Sequence, residues 1–304
     1  PMRKLYINFC LAAALSILMS CSDPSSQNLN QSDERALSLV NNFTESFSTS
    51  WAEKNAKAMG ELYTSDAVRI VSSRQTPLYG RESITVEFES DFKRTQSLTS
   101  ITAEPTVAKF LSSDLVFATG TFSVVDSDDN MISKGFWGNL MKIEGNSLKM
   151  LMESAGDATP RGMNNASLAV PEIRDPLYEG SGMNLINEGV ASYVLSANNG
   201  DSQGIADLFT QNGIQAVSNN DSILFGRESI VDTLNAGTAT EIKLDAWSYG
   251  YRELGNSLAI GWGGYRQTSP SGELVEFGQW GNIWRITENG LKLIIERASA
   301  FSGE

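Results

Sequence analysis

The 304-residue chain contains no histidine. That removes Ser-His-Asp and Cys-His catalysis, histidine general bases and every histidine-ligated metal from consideration. Cysteine is almost as scarce, with Cys10 and Cys21 the only two, both close to the start. The rest of the chain therefore has no disulfide to draw on and must fold by burial alone, which about 270 residues in two domains can supply. Basic residues are outnumbered: 23 Lys and Arg face 36 Asp and Glu, a net charge of −13. So acidic a surface repels phosphate backbones, and nucleic acid is not an expected partner. No cofactor and no metal are expected either. The acidic run "DSDDN" (126–130) invites a calcium reading, but the sixth and twelfth places of an EF-hand loop would fall on Met131 and Trp137. It reads as a solvated hairpin tip.

What is present begins with an export signal. Arg3 and Lys4 precede a short apolar run around "LAAALSILMS", followed by Cys21. "LMSC" resembles a bacterial lipobox, which implies cleavage before Cys21 and acylation of that residue, with Cys10 and two positive charges removed to leave −15. Residues 1–21 are thus expected to be a lipoprotein signal peptide and 22–33 a polar tether. Acyl chains on Cys21, not a basic patch, would hold the protein at the membrane. Ser22 lacks the aspartate associated with inner-membrane retention, so an outer-membrane position in the envelope is expected.

The pentapeptide "GRESI" occurs at Gly80–Ile84 and again at Gly226–Ile230. Residues 50–84 and 196–230 align without a gap, with 11 of 35 positions identical, and 113–155 falls on 256–298 with 12 of 43 identical. A whole domain is duplicated. The expected units are 34–155 and 183–304, joined by a Gly-, Pro- and Asn-rich linker, 156–182. In each copy helices come first: Leu37, Val40, Phe43, Phe47 and Trp51 recur at helical spacing. GRESI reads as a turn into a third helix, with Gly at the bend, Glu82 or Glu228 at the positive helix end and Ile84 or Ile230 facing the core. The functional alternative is that Arg81 and Arg227 hold an anion. Alternating runs follow. Trp280, Asn282, Trp284 and Ile286 share one face, as do Leu291, Leu293 and Ile295, while Lys292 and Glu296 point the opposite way. Such runs make an antiparallel meander with one apolar face, and helices packed on it give an α+β domain.

The segment "YVLSANNGDSQGIADLFTQNGIQAV" (193–217), followed by "LFGRESI" and the meander, resembles the nuclear transport factor 2-like superfamily, which includes ketosteroid isomerase-like and SnoaL-like proteins. The resemblance covers both copies, roughly 34–155 and 183–301, and is carried by the N-G-D turn, the L-F/Y-x-x-D/N segment and the G-R-E-x-I turn. It implies two cone-shaped domains, each a strongly curved, antiparallel-rich sheet wrapped around N-terminal helices, and sheets that can pair within one chain as a pseudo-dimer. Carried over from the isomerases, the general-base position falls on Val71 and Val217, neither of which takes a proton. The tyrosine donor falls on Phe47 and Tyr193, and the second donor near Asn139 and Asn282.

No catalytic residue is therefore expected. The candidate ligand-binding residues are Tyr193, Asn282, Trp280 and Trp284 in the second copy, and Asn139 and Trp137 in the first. The tryptophans are otherwise ordinary core, and the two amides would otherwise pair internally. The expected function is non-catalytic binding of a small apolar ligand or an envelope protein. One alternative is a carboxylate-driven isomerase, lyase or hydrolase in the second domain, using an acid such as Glu241 or Asp245. Another is a scaffold with filled cones.

Overall fold

The structure, a computed structural model, describes residues 24–94, 98–158, 181–218, 220–236 and 242–301. The expected signal sequence with Cys21, most of the expected linker, and Glu241 lie outside them. The α+β architecture appears twice. The first copy runs α1 (Pro24–Ala52), α2 (Ala56–Glu61), β1 (Tyr63–Val71), β2 (Leu78–Tyr79), α3 (Arg81–Arg94), β3 (Leu98–Phe110), β4 (Leu115–Asp126), β5 (Met131–Glu144) and β6 (Ser147–Asp157). The second repeats that order as α4 (Ser181–Asn198), α5 (Ser202–Asp207), β7 (Phe209–Val217), β8 (Leu224–Phe225), α6 (Gly226–Ala236), β9 (Lys243–Gly255), β10 (Leu258–Thr268), β11 (Leu274–Thr287) and β12 (Gly290–Ala300). Two boundaries differ from the expectation. Helix α1 already begins at Pro24, so much of the stretch read as a tether is helical, and β6 extends into the start of the expected linker.

Each sheet has six strands, in the order β2-β1-β6-β5-β4-β3 and β8-β7-β12-β11-β10-β9. Among the described strand pairs only β1–β6 and β7–β12 are parallel. Helix α1 turns Ala36, Val40, Phe43 and Phe47 onto its sheet, all buried. This is the stripe that 3.6-residue spacing dictates. The short second helices are capped alike: Asn55 Oδ1 accepts from Ala58 N at 3.1 Å and Asp201 Oδ1 from Gly204 N at 2.8 Å.

GRESI has a structural purpose. Gly80 and Gly226 both adopt φ of +81°, where a side chain is strained. The next residue ties the helix start to the strand: Arg81 Nε donates to the Tyr63 carbonyl and Arg227 Nε to the Phe209 carbonyl, each at 2.8 Å. Both guanidinium groups are thus tied to backbone, that of Arg227 also lying 3.6 Å from Asp207 Oδ1, and Ile84 and Ile230 are fully buried.

The outer faces of the two sheets pack on each other. Val68, Ile70, Leu140 and Met152 from the first copy form one apolar layer with Leu258, Ile260, Ile283 and Ile295 from the second. Glycine makes the approach close. A Cβ on Gly281 would stand 2.9 Å from Ile70 Cδ1, and one on Gly138 would stand 2.8 Å from Ile295 Cδ1. Across this layer Arg297, with no exposed surface, donates from Nε to the Phe136 carbonyl (3.1 Å) and from Nη2 to the Gly156 carbonyl (2.8 Å).

Candidate functional site

Each domain encloses a cleft between its helices and the inner face of its sheet, of about 340 Å³ in the first and 330 Å³ in the second. The second brings Tyr193, Trp280, Asn282 and Trp284 into one wall, as the sequence suggested, and adds Tyr265. The first contains Trp137 and Asn139 together with Phe47 and Trp51. Val71 and Val217 line their respective clefts. The general-base position carried over from the isomerases is therefore apolar in both.

A carboxyl enters each cleft from elsewhere. Glu296 lines the second and Glu153 the first, and both are buried. The expectation that Glu296 points away from the apolar face is corrected here. The cause is a break in the strand alternation. Leu291 and Leu293 face the inner core, Ile294 and Ile295 belong to the layer between the sheets, and Glu296 and Ala298 return to the cleft. Both ladders of β12 shift register at this point, and a shift of one residue reverses the faces of everything after it. Strand β6 does the same: Leu148 and Met150 face inward, Leu151 and Met152 outward, and Glu153 and Ala155 inward again.

The two asparagines explain how the break is held. Asn282 Oδ1 accepts from the backbone N–H of Arg297 and Asn139 Oδ1 from that of Ser154, each at 3.0 Å. In both domains the amide takes the N–H of the residue that follows the glutamate. The internal pairing weighed in the sequence thus exists, with a backbone donor as partner. These asparagines position the carboxyl. Nor are the indoles of Trp137 and Trp280 polar handles for a ligand, because their Nε1 atoms donate to the carbonyls of Thr121 (2.9 Å) and Gly264 (3.2 Å). Asp245, considered as an acid for the second cup, is engaged by Arg266 Nη2 at 2.8 Å and does not line the cleft.

Around the glutamates the copies part company. Glu153 Oε2 accepts from Arg69 Nε at 2.8 Å and from the Tyr63 hydroxyl at 2.5 Å, and the guanidinium lies 4.7 Å from the centre of the Phe88 ring. Burial is the largest single influence on Arg69 and opposes its charge, but Glu153, Tyr63 and Asp91 together outweigh it and hold the group firmly protonated. Burial and the same carboxylate push the Tyr63 hydroxyl well above the usual phenol range. In the second domain the position of Arg69 is taken by Gln215, whose Nε2 donates to Glu296 Oε2 at 2.8 Å. Tyr193 adjoins the same carboxyl from α4. Burial raises the Glu296 pKa, and hydrogen bonds from Gln215 and Tyr193 offset only part of that rise. A second tyrosine–glutamate pair lies in the cleft, Tyr265 donating to Glu276 Oε1 at 2.7 Å. Among the described residues no lysine or arginine lines it.

No family model and no curated protein matches the chain. Solved structures do. An NTF2-like protein with a cystatin-like fold from Novosphingobium aromaticivorans is 18% identical, with a TM-score of 0.37 over 40% of this chain and 84% of that one. An NTF2-like protein of unknown function from Shewanella oneidensis is 12% identical, with a TM-score of 0.35 over 40% and 98%. A ketosteroid isomerase-like protein from Erwinia carotovora atroseptica is 12% identical, with a TM-score of 0.35 over 41% and 99%.

Proposed function

We propose that the second domain binds a small, largely apolar molecule, in a protein held at the outer membrane of the cell envelope by acylation of Cys21. The observation that carries this reading is the cleft of about 330 Å³ walled by Tyr193, Tyr265, Trp280 and Trp284, with a few polar groups at fixed places. Apolar pockets with sparse, convergent polar groups are where small ligands bind. Open space of that size also counts against a scaffold with filled cones. The first domain supports the second through the shared apolar layer, and its own glutamate is already neutralised by Arg69.

Mature protein screened against apolar small molecules by tryptophan fluorescence and thermal shift should respond. Ala246→Phe, which fills the cleft, should abolish the response. A broad panel that moves neither signal would remove the reading. Anchoring is tested separately, by incorporation of labelled palmitate into wild type but not Cys21→Ser.

Glu296 beside Tyr193 supports a second reading, proton transfer to and from a bound carbonyl compound. A buried carboxyl of raised pKa with an adjacent hydroxyl is an acid–base pair. Ketones that bind should then exchange deuterium next to the carbonyl, and Glu296→Gln should stop it. Ketones that bind without exchange leave the protein a binding protein only.

A further inference from the structure

The duplication supplies an internal comparison for the chemistry of the second cleft. Both domains place a glutamate in the cavity by the same bulge and the same asparagine. In the first, the strand facing it provides Arg69, and the ion pair is complete within the protein (2.8 Å, both side chains about 8% exposed). In the second, the aligned residue is Gln215, an uncharged amide. A buried carboxylate without a cation is costly, and a well-placed positive charge offsets that cost.

The walls are suited to such a charge. Tyr193, Tyr265, Trp280 and Trp284 line one space, and indole and phenol rings attract an ammonium group through their quadrupoles. The second carboxyl, Glu276, lies in the same cleft, and no lysine or arginine lines it among the described residues to compete. Two acids and four aromatic rings, with no lysine or arginine in the lining among the described residues, favour a positive charge over a negative one.

We infer that the ligand of the second cleft carries a positively charged nitrogen, as an aromatic or alkyl amine or a quaternary ammonium compound, and that this nitrogen takes the place by Glu296 that Arg69 takes by Glu153. The inference rests on the reading of this cleft as a small-molecule site and specifies its ligand class. The first cleft, with its ion pair already made, does not share the preference.

The test compares three probes of similar shape and different charge: phenyltrimethylammonium, its neutral isostere tert-butylbenzene, and phenylacetate. Binding to the mature protein is followed by titration calorimetry and tryptophan fluorescence. Wild type should prefer the ammonium over the neutral isostere by at least about tenfold and bind the anion weakest. Gln215→Arg, which rebuilds the first domain's ion pair, should erase that preference while tert-butylbenzene binds as before. Glu296→Gln should erase it too, and serves if the arginine variant does not fold. Equal or tighter binding of the neutral isostere by wild type, or a preference that survives both substitutions, overturns the inference while leaving the cleft a binding site. Absence of binding by all three overturns it as well, and if the wider apolar panel is also silent the binding reading falls with it.

Discussion

Asn282 Oδ1 accepts the backbone N–H of Arg297 at 3.0 Å, and by doing so it holds the strand break that turns Glu296 into the cleft. The same arrangement between Asn139 and Ser154 serves Glu153. An amide that satisfies a backbone donor at a bulge keeps the bulge from relaxing into a regular ladder, where the glutamate would face the other way.

Replacing Asn282 by Ala should therefore do more than destabilise. The lost hydrogen bond leaves a buried N–H unpaired, a cost of about 1–3 kcal/mol in chemical denaturation. Ligand response in the second cleft should fall as well. Asn139→Ala should cost a similar amount but leave that response intact. Equal effects of the two substitutions on ligand response would contradict the positioning role.

Glu296 makes stability depend on pH in a definite direction. Its folded pKa is raised, by burial first, with Gln215 and Tyr193 opposing. Tyr265 and Glu276 share the cleft from β10 and β11, and Arg297 beside it is directed into the layer between the sheets. The native state keeps this proton longer than the unfolded chain does. Its contribution is therefore full below the ordinary glutamate pKa of about 4.3 and declines as pH rises through the folded value. Glu296→Gln lacks that decline, so its stability relative to wild type should increase with pH across the window. Urea midpoints measured in a pH series would show a constant difference if the carboxyl were not buried.

In the first domain the ion pair is the vulnerable element. Arg69→Met leaves Glu153 buried without its cation and should destabilise by about 3–5 kcal/mol. Adding Glu153→Gln should recover much of that loss, because the uncompensated charge is then gone. A double substitution no better than the single one would place the cost in packing against Phe88.

Arg297 joins the two domains through the carbonyls of Phe136 and Gly156. Burial pulls its pKa down to about 10, so the group stays charged at neutral pH. Arg297→Met should cost about 2–3 kcal/mol through unpaired carbonyls and loosen the coupling between halves. Calorimetry should then resolve two unfolding transitions where wild type shows one. A single transition in the variant would show that the apolar layer suffices for coupling.

Much of this architecture was legible in the residues. Two gap-free alignments exposed the duplication, the spacing of Val40, Phe43 and Phe47 gave the first helix, and GRESI gave the turn that Arg81 and Arg227 clamp. The aromatic wall of the second cleft also followed from counting alternate residues on β11. Glu296 did not, because strict alternation along "LKLIIERA" turns it outward and the strand is not regular there. The consecutive Leu293, Ile294 and Ile295 were the available signal. Three apolar residues in a row say that both faces of the strand are covered, which a sheet with one wet face does not need. Likewise nothing local distinguishes the buried Arg297 from a surface cation. Its partners lie 161 and 141 positions away, in the other domain.

That arginine also makes the halves non-interchangeable. Ser154 occupies the matching place in the first copy, against Gly281, just as Arg297 lies against Gly138. Two second domains pressed together by the same symmetry would have no Ser154 to set against Gly281, and two first domains would leave the Phe136 and Gly156 carbonyls without the Arg297 donors. The halves have thus diverged at their shared seam, one supplying the carbonyls and the other the guanidinium.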